Sequence, residues 1–451
     1  MITTFVLNNN QENMSIIIKV FLKKYKLLEK GRAIICFLLL LVLMLPQISA
    51  GQDTTIYKSL SSFNPNDKDD DLKQLDNYFK NVKVVGMGES THGTHEFFKM
   101  RHRMFKYLVE HHQFNTFFLE ADYANCLRVN DYIHGNNDNA IEAVSAIDMW
   151  PWKTTEMVAL VNWMRAYNIK NPTKQLNFIG VDAQRYIENI EKMDAILAQY
   201  ELPTTDSTIY KRMLDTNFFL VTEIEDLEIY KTVWEEKKTI DTNQLNKKDK
   251  RTYSLLLRHL TQTLGIKYKW QKKYDYRDRR MGENILYHLK EDTVNKGFFW
   301  AHNGHIFKSS KKDKRKKIWN GTAGGFLDYK LKDKCYIIGQ EFDEGSFNAY
   351  YPDSNSTNIM EGKAYTLGSV KVRPAEEGSF AANYRHLKNP VFILVPSLPK
   401  KEHVKMTYIG AAYYPIRDNK PKSLARYNAH GKKLFDAIIL IKKSTPTNLL
   451  D

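Results

Sequence analysis

The stretch Val82–Glu120, VKVVGMGESTHGTHEFFKMRHRMFKYLVEHHQFNTFFLE, carries the reading of the fold. It begins with an apolar run, Val82 to Gly88, of the length and β-branched content of a buried strand. After a glycine-bounded turn, Phe97, Phe98, Met104, Phe105, Leu108 and Val109 recur at spacings that place one apolar stripe on a helix. Thr116 to Glu120 is a second buried-type run, so the whole stretch predicts a βαβ unit. Further short apolar runs follow at Leu176–Asp182, Gly297–His302, Cys335–Glu341, Val391–Val395 and Ala437–Ile441, with longer amphipathic segments between them. That alternation predicts an α/β fold with a mostly parallel central sheet flanked by helices. No fixed-period repeat occurs, and neither a GxGxxG nor a P-loop follows the first strand.

Two segments depart from the alternation. Residues 203–274 are rich in Leu, Tyr, Thr, Lys and Glu with a single glycine, Gly265, and read as two or three long helices inserted as a cap or lid, with Asn243–Lys250 as a turn between them. Tyr123–Trp152 reads as a long irregular region, with Tyr132, Trp150 and Trp152 around Pro151; loops of that length in α/β enzymes are commonly functional.

Of the 451 residues, 43% are hydrophobic, which suits a core-forming globular chain and excludes global disorder. Cys36, Cys126 and Cys335 include no C-x-x-C pair, so thiolate zinc sites and a disulfide scaffold fall away. The apolar run Ala33–Leu45, with a basic flank before it and a small-residue exit at Ala50, is short for a bilayer span. It reads as the core of a signal peptide over residues 1–50, with an exported, periplasmic mature chain; an anchor through residues 33–45 is the alternative, and the only membrane association expected. The first fifty residues hold six basic and two acidic side chains, so the remainder keeps 61 basic against 50 acidic. Its densest basic run, Lys311–Lys317, lacks the interleaved aromatics of a nucleic-acid groove; it reads as a solvated loop, and no nucleic-acid partner is expected.

Chemistry enters through the strand ends. Glu89, Glu120, Asp182, His302 and Glu341 each close an apolar run, and in an open parallel sheet the carboxyl ends of the strands form the ligand crevice. One acidic residue there is commonly a helix cap, whereas several mixed with histidine point to a site. Gly88-Glu89-Ser90-Thr91-His92-Gly93-Thr94-His95-Glu96 is the densest signal, with Glu89 spaced to orient the His92 imidazole. Arg101 lies nine residues after His92, a half-integral number of turns that sets it on the opposite side of a straight helix. Trp300-Ala301-His302-Asn303-Gly304-His305 is the second signal. His111 and His288 read as ordinary helix residues. Ser90 sits in no G-x-S-x-G elbow, which weighs against a serine nucleophile. Glu89/His92 and His302/His305 have the i,i+3 spacing of metal ligands, and the same residues suit metal-free general-base hydrolysis; spacing leaves those two open.

The order of motifs is similar to that of the erythromycin esterase family: Gly88–Gly93 with Glu96, Phe118-Leu119-Glu120, Arg277-Asp278 with Met281 and Asn284, Trp300–His305, and Phe435–Ile439. The resemblance spans roughly Val82 to Lys443. It implies a metal-independent hydrolase, without cofactor, whose partner is a small-molecule ester, the lactone of 14-membered macrolide antibiotics such as erythromycin. It further implies that His92 is the general base, with Glu89, Glu120, Arg101, Arg277, His302 and His305 around it. Arg277 with His302 or His305 would supply positive field at the carbonyl oxygen. At the substrate we expect Arg101, Tyr123, Trp150 and Trp152, the tryptophans walling an apolar cleft. A same-fold hydrolase of another ester or envelope acyl group, and a metal- or haem-binding module on the same histidines, are the competing expectations.

Overall fold

The computed structural model describes residues 56–215, 224–268, 273–291, 296–308, 310–313, 318–352, 365–398, 403–413, 424–428 and 434–450. The expected signal segment, residues 1–50, and the tip of the basic run, 314–317, lie outside them. Among the described residues no helix is long and apolar enough to cross a membrane.

All seven apolar runs form strands. In chain order the strands are β1 (Tyr57–Ser59), β2 (Val84–Met87), β3 (Thr116–Asp122), β4 (Asn177–Asp182), β5 (Gly297–Trp300), β6 (Ser310–Asp313), β7 (Ile318–Gly321), β8 (Cys335–Pro352), β9 (Tyr365–Val372), β10 (Val391–Leu394), β11 (His403–Thr407), β12 (Leu424–Asn428) and β13 (Ala437–Ser444). The main sheet runs β1-β10-β13-β8-β2-β5-β3-β4, with β9 antiparallel to the far half of β8. Along that path from β13 to β4 every pairing is parallel, and β1 and β10 add antiparallel strands at one edge. β6–β7 and β11–β12 are separate hairpins.

The βαβ expectation needs one correction. Helix α1 (His95–His112) does connect β2 to β3, and its stripe Phe97, Phe98, Met104, Phe105, Leu108 and Val109 is buried. But β2 and β3 do not pair, because β5 enters between them and bonds to both. A strand closing a gap from 180 residues downstream leaves no local trace.

Strand alternation divides the core. Val85, Phe117, Phe298, Ile338 and Ile439 face the layer of α1 and α3 (Thr155–Lys170), while Val84, Phe118, Phe299, Ile337 and Ile438 face the opposite layer with Met281, Ile285 and Leu327. Both faces are covered, which is why these strands read as continuous apolar runs. Phe117 stacks between Phe178 at 5.4 Å and Phe298 at 5.5 Å, and burying each such ring is worth about 1.5–3 kcal/mol.

The irregular region expected at Tyr123–Trp152 is largely helical: α2 (Tyr123–Ile133) follows Asp122 directly, and a short helix, Ala140–Ser145, is capped by the Asn139 side chain on Glu142 N. The helical insertion is longer than 203–274. It opens with α4 (Ile187–Ala198), continues through α5 (Ser207–Asp215), α6 (Ile224–Thr239) and α7 (Lys247–Tyr268), and closes with α8 (Lys273–His288). Ile190, Met193 and Leu197 of α4 share one apolar cluster with Met213, Tyr230, Val233, Leu256 and Leu260, which is why the packed unit begins before Pro203. The expected turn at Asn243–Lys250 is shorter, since the Asn246 side chain caps the next helix by accepting from Asp249 N at 2.9 Å. Cys126 and Cys335 are free and buried.

Candidate active site

The site grows from the end of β2. A Cβ at Gly88 would fall 2.3 Å from Asn303 Oδ1 and 2.6 Å from Ile306, so only glycine lets this turn pass beside the β5 loop. Glu89, fully buried, then gathers three donors. Its Oε1 meets His92 Nδ1 at 2.6 Å, and its Oε2 accepts from Arg101 Nη1 at 2.8 Å and from Trp300 Nε1 at 3.1 Å. With Nδ1 occupied, His92 Nε2 points away from the carboxylate. Trp152 lies edge-on to the His92 ring at 5.9 Å, and the His302 ring is 5.2 Å away.

Arg101 corrects two expectations. The helix starts at His95, after Thr94 in extended backbone, so a helical count from His92 does not apply; both side chains converge on Glu89. Arg101 is also fully buried, with its guanidinium 4.3 Å over the Trp300 ring and Nη1 on Glu89, so it packs behind the carboxylate and presents no surface to solvent.

A second array forms at the ends of β3, β4 and β5. Arg277, near the start of α8, donates through Nη2 to Glu120 Oε1 at 2.7 Å and to Asp182 Oδ2 at 2.5 Å, and through Nε to Asp182 Oδ1 at 2.9 Å. His305 Nε2 lies 3.1 Å from Glu120 Oε1 and 3.1 Å from Arg277 Nη1, and its Nδ1 meets Asp278 Oδ1 at 2.7 Å. The other Glu120 oxygen, Oε2, accepts from the His302 backbone N at 2.8 Å, joining this array to the histidine beside His92. Arg277 is thus paired with two carboxylates, Glu120 and Asp182.

Burial and partners fix the charge states. Burial alone would raise Glu120, but His305, Arg277 and His92 outweigh it and hold the carboxyl well below the usual range. Burial likewise pulls His305 down, and Asp278 and Glu120 more than offset it, so its pKa is raised. Asp278 is raised because burial outweighs His305 and Arg277. His302 is pushed down to about 3 by burial and by its neighbours His92 and His305. His302 is therefore neutral. Its Nδ1 accepts from Gly304 N at 3.1 Å, which puts the proton on Nε2, 3.4 Å from Ser90 O.

Several expected residues stand elsewhere. Tyr123 packs in the helical layer, its ring stacked on His259 at 5.0 Å and on His288 at 6.2 Å. Trp150 is half-buried with its ring edge-on to Tyr350, while Trp152 forms the wall beside His92. Glu341 accepts from Phe342 N and Thr407 N, holding a loop instead of joining the array, and burial pushes it up to about 8. The Ser90 hydroxyl is buried and makes no hydrogen bond to His92 among the described residues. Among the described residues, Glu89, His92, His302 and His305 do not assemble three ligand atoms within 4.8 Å of one another. Asp278, Trp300 and exposed Tyr408, whose ring stands edge-on to His302 at 4.8 Å, were not singled out from sequence as site residues.

This is an α/β protein with histidines held by carboxylates at the carboxyl ends of a parallel sheet, beside two buried arginines. The chain matches the erythromycin esterase family over residues 109–444 and belongs to it. The match begins after Glu89, His92 and Arg101. Erythromycin esterase type II of Escherichia coli is 25% identical over 285 residues, 54% of this chain and 65% of that protein, so the chain spans just under two thirds of that relative. Among solved structures, a succinoglycan biosynthesis protein superposes with a TM-score of 0.67 at 20% identity, covering 88% of this chain and 97% of that one. The erythromycin esterase variant EreC in its open conformation does so with a TM-score of 0.60 at 14% identity, covering 86% and 98%. At these identities the likeness to solved structures is one of fold.

Proposed function

We propose that the protein is an ester hydrolase in which His92 removes a proton from water, and that its substrate is the lactone ring of a 14-membered macrolide such as erythromycin. The observation that carries this reading is the 2.6 Å contact of His92 Nδ1 with buried Glu89, beside a serine hydroxyl that takes no part. Glu89 holds the Nδ1 proton, which leaves Nε2 as the base. As Nε2 takes the proton, the water oxygen attacks the ester carbon and the carbonyl oxygen gains negative charge. Neutral His302, its ring 5.2 Å from that of His92, would turn its Nε2 proton from Ser90 O, 3.4 Å away, to that oxygen; one such donor is worth about 3–4 kcal/mol to a transition state. Collapse of the adduct breaks the bond to the alcohol oxygen, and the imidazolium of His92 returns its proton there. Glu120 fixes His302 through its backbone N–H, and Arg277, His305 and Asp278 fix Glu120.

Family membership supports the hydrolase class, and Trp152 beside His92 with Tyr408 beside His302 suits an apolar ring. Incubation of the protein with erythromycin, followed by mass spectrometry for the addition of one water, tests the substrate. No added mass on any 14-membered macrolide, with turnover of simple acyl esters, would reassign the substrate to another ester. Activity that survives chelator treatment is expected for a reaction without metal. Residues 1–50 are proposed to direct export, which N-terminal sequencing of exported protein checks by a start at Gly51.

A further inference from the structure

The turn that carries His92 is held by a segment the mechanism has not used. After β13 ends at Ser444, the chain crosses the outside of the turn and then runs along the Trp152 loop. Thr445 O accepts from His95 N at 2.9 Å, and Thr447 N donates to Gly93 O at 3.0 Å. Thr445 N and its hydroxyl both donate to Glu96, at 2.8 and 2.6 Å. Three residues on, Thr155 N donates to Asn448 O at 2.8 Å, and Leu450 N to Lys153 O at 2.9 Å. The Asn448 backbone N and side-chain amide both donate to Glu156 Oε1, at 3.1 and 3.0 Å, and the same carboxylate pairs with His95 Nδ1.

We propose that Thr445–Leu450 is a positioning strap for the hydrolytic site, setting the His92 turn against the Trp152 loop.

The turn is also clamped from beneath. Asn348 of β8 donates its backbone N to Gly93 O at 3.0 Å and its side-chain amide to Thr447 O at 2.6 Å, so strap, turn and sheet share one knot. Gly93 is required there, since a Cβ would lie 2.1 Å from Asn348 O. The strap bonds to residues on each side of the His92–Trp152 contact: Gly93, His95 and Glu96 next to the base, and Lys153, Thr155 and Glu156 next to the tryptophan. Six residues that touch no reacting atom therefore decide where the base stands, and displacement of a base by about 1 Å can cost about 10²-fold in rate. The family match stops at residue 444, one residue before the strap begins.

The effect on turnover rests on the reading of His92 as the base, so the test has one arm with substrate and one without. The full chain with a stop codon in place of Thr445 is compared with the intact chain. A second variant, Asn348→Ala with Asn448→Ala, removes the two amide side-chain rungs and keeps every backbone bond. Thermal melting checks that each is folded. On an ester the intact chain hydrolyses, the truncated chain should lose about 10²-fold in kcat with KM within about threefold, and added Thr445–Asp451 peptide should restore it. The double variant should lose about tenfold in kcat and decides the matter if the truncated chain does not fold. Without substrate, the rate at which diethyl pyrocarbonate modifies His92, located by peptide mass, should rise at least about fivefold in either variant. If the intact chain hydrolyses no ester, the proposed function fails and this modification rate alone judges the strap. A folded variant with unchanged kcat, a loss confined to KM, or an unchanged His92 modification rate overturns the proposal.

Discussion

Glu89→Gln isolates the role of the buried carboxylate with almost no change of shape. The carboxylate faces three donors, two on Oε2 and one on Oε1. A glutamine has one acceptor oxygen and one NH2 group, and the arrangement with fewest lost bonds keeps the oxygen toward Arg101 and Trp300 and turns the NH2 toward His92. That forces Nδ1 to accept, so the ring proton moves to Nε2, the atom proposed to take the proton from water. A positioned base supplies about 10² to 10⁴ in rate, so kcat should fall by about 10³ while KM changes little. Stability should fall as well, because Arg101, buried over Trp300 with its pKa already lowered to about 10, loses its anionic partner. Stranding a buried charge costs about 3–5 kcal/mol. With roughly 2 cal/mol/K of unfolding entropy per residue over roughly 400 residues, that corresponds to a Tm lower by about 4–6 °C. Adding Arg101→Met removes the stranded charge and should restore Tm without restoring kcat. Steady-state kinetics and calorimetry on the two variants measure both quantities. A kcat for Glu89→Gln within tenfold of wild type, or recovery of kcat together with Tm in the double variant, would refute the tautomer argument.

His92→Ala should abolish turnover while Ser90→Ala keeps most of it, because the Ser90 hydroxyl has no partner; a trapped acyl group on Ser90 would reverse the assignment. Asp278→Asn should lower the proton affinity of His305, since burial and Arg277 both pull it down and Asp278 is the leading counterweight; ring-proton NMR titration reads the change, and an unmoved titration argues against the pair. Glu120, with its folded pKa depressed, contributes stability that is present above its unfolded value near 4.5 and is lost as pH falls below it. His305, with its folded pKa raised, contributes stability that is present below about 6.5 and is lost as pH rises through its folded value. Urea midpoints should accordingly drop less between pH 5 and pH 3 in Glu120→Gln than in wild type, and parallel losses would contradict the sign.

Strand positions were legible because both faces of the sheet are covered. Phe117 and Phe118, or Phe298 and Phe299, are adjacent in sequence yet sit in opposite cores, and such a strand has no polar side to blur its signal. Sheet order was not legible in the same way. Gly297–Trp300 looks like any other apolar run, and its place between β2 and β3 depends on matching surfaces that lie far apart in the chain. The second half of β8 was missed for a related reason, since from Ser346 to Pro352 its strand partner is β9, at the margin of the sheet, and it carries polar residues such as Ser346 and Asn348.

The same division runs through the site. Sheet logic brings Glu89, Glu120, Asp182 and His302 to one mouth, because each closes a parallel strand, and it needs only local sequence to do so. Their charges are decided by residues that logic does not reach. Arg277 comes from the helical insertion, 157 residues beyond Glu120, and together with His305 and His92 it outweighs the burial that acts to raise the Glu120 carboxyl. Asp278 follows Arg277 in sequence, and the two meet on His305 from opposite ring nitrogens: Arg277, held by the carboxylates at the ends of β3 and β4, lies against Nε2, and Asp278 against Nδ1. Glu341 shows the converse. It closes its run like the others, but two backbone N–H groups claim it before any cation can, and it leaves the constellation. A strand-end carboxylate thus becomes part of the chemistry when a distant cation meets it, and stays a loop anchor when only the backbone does.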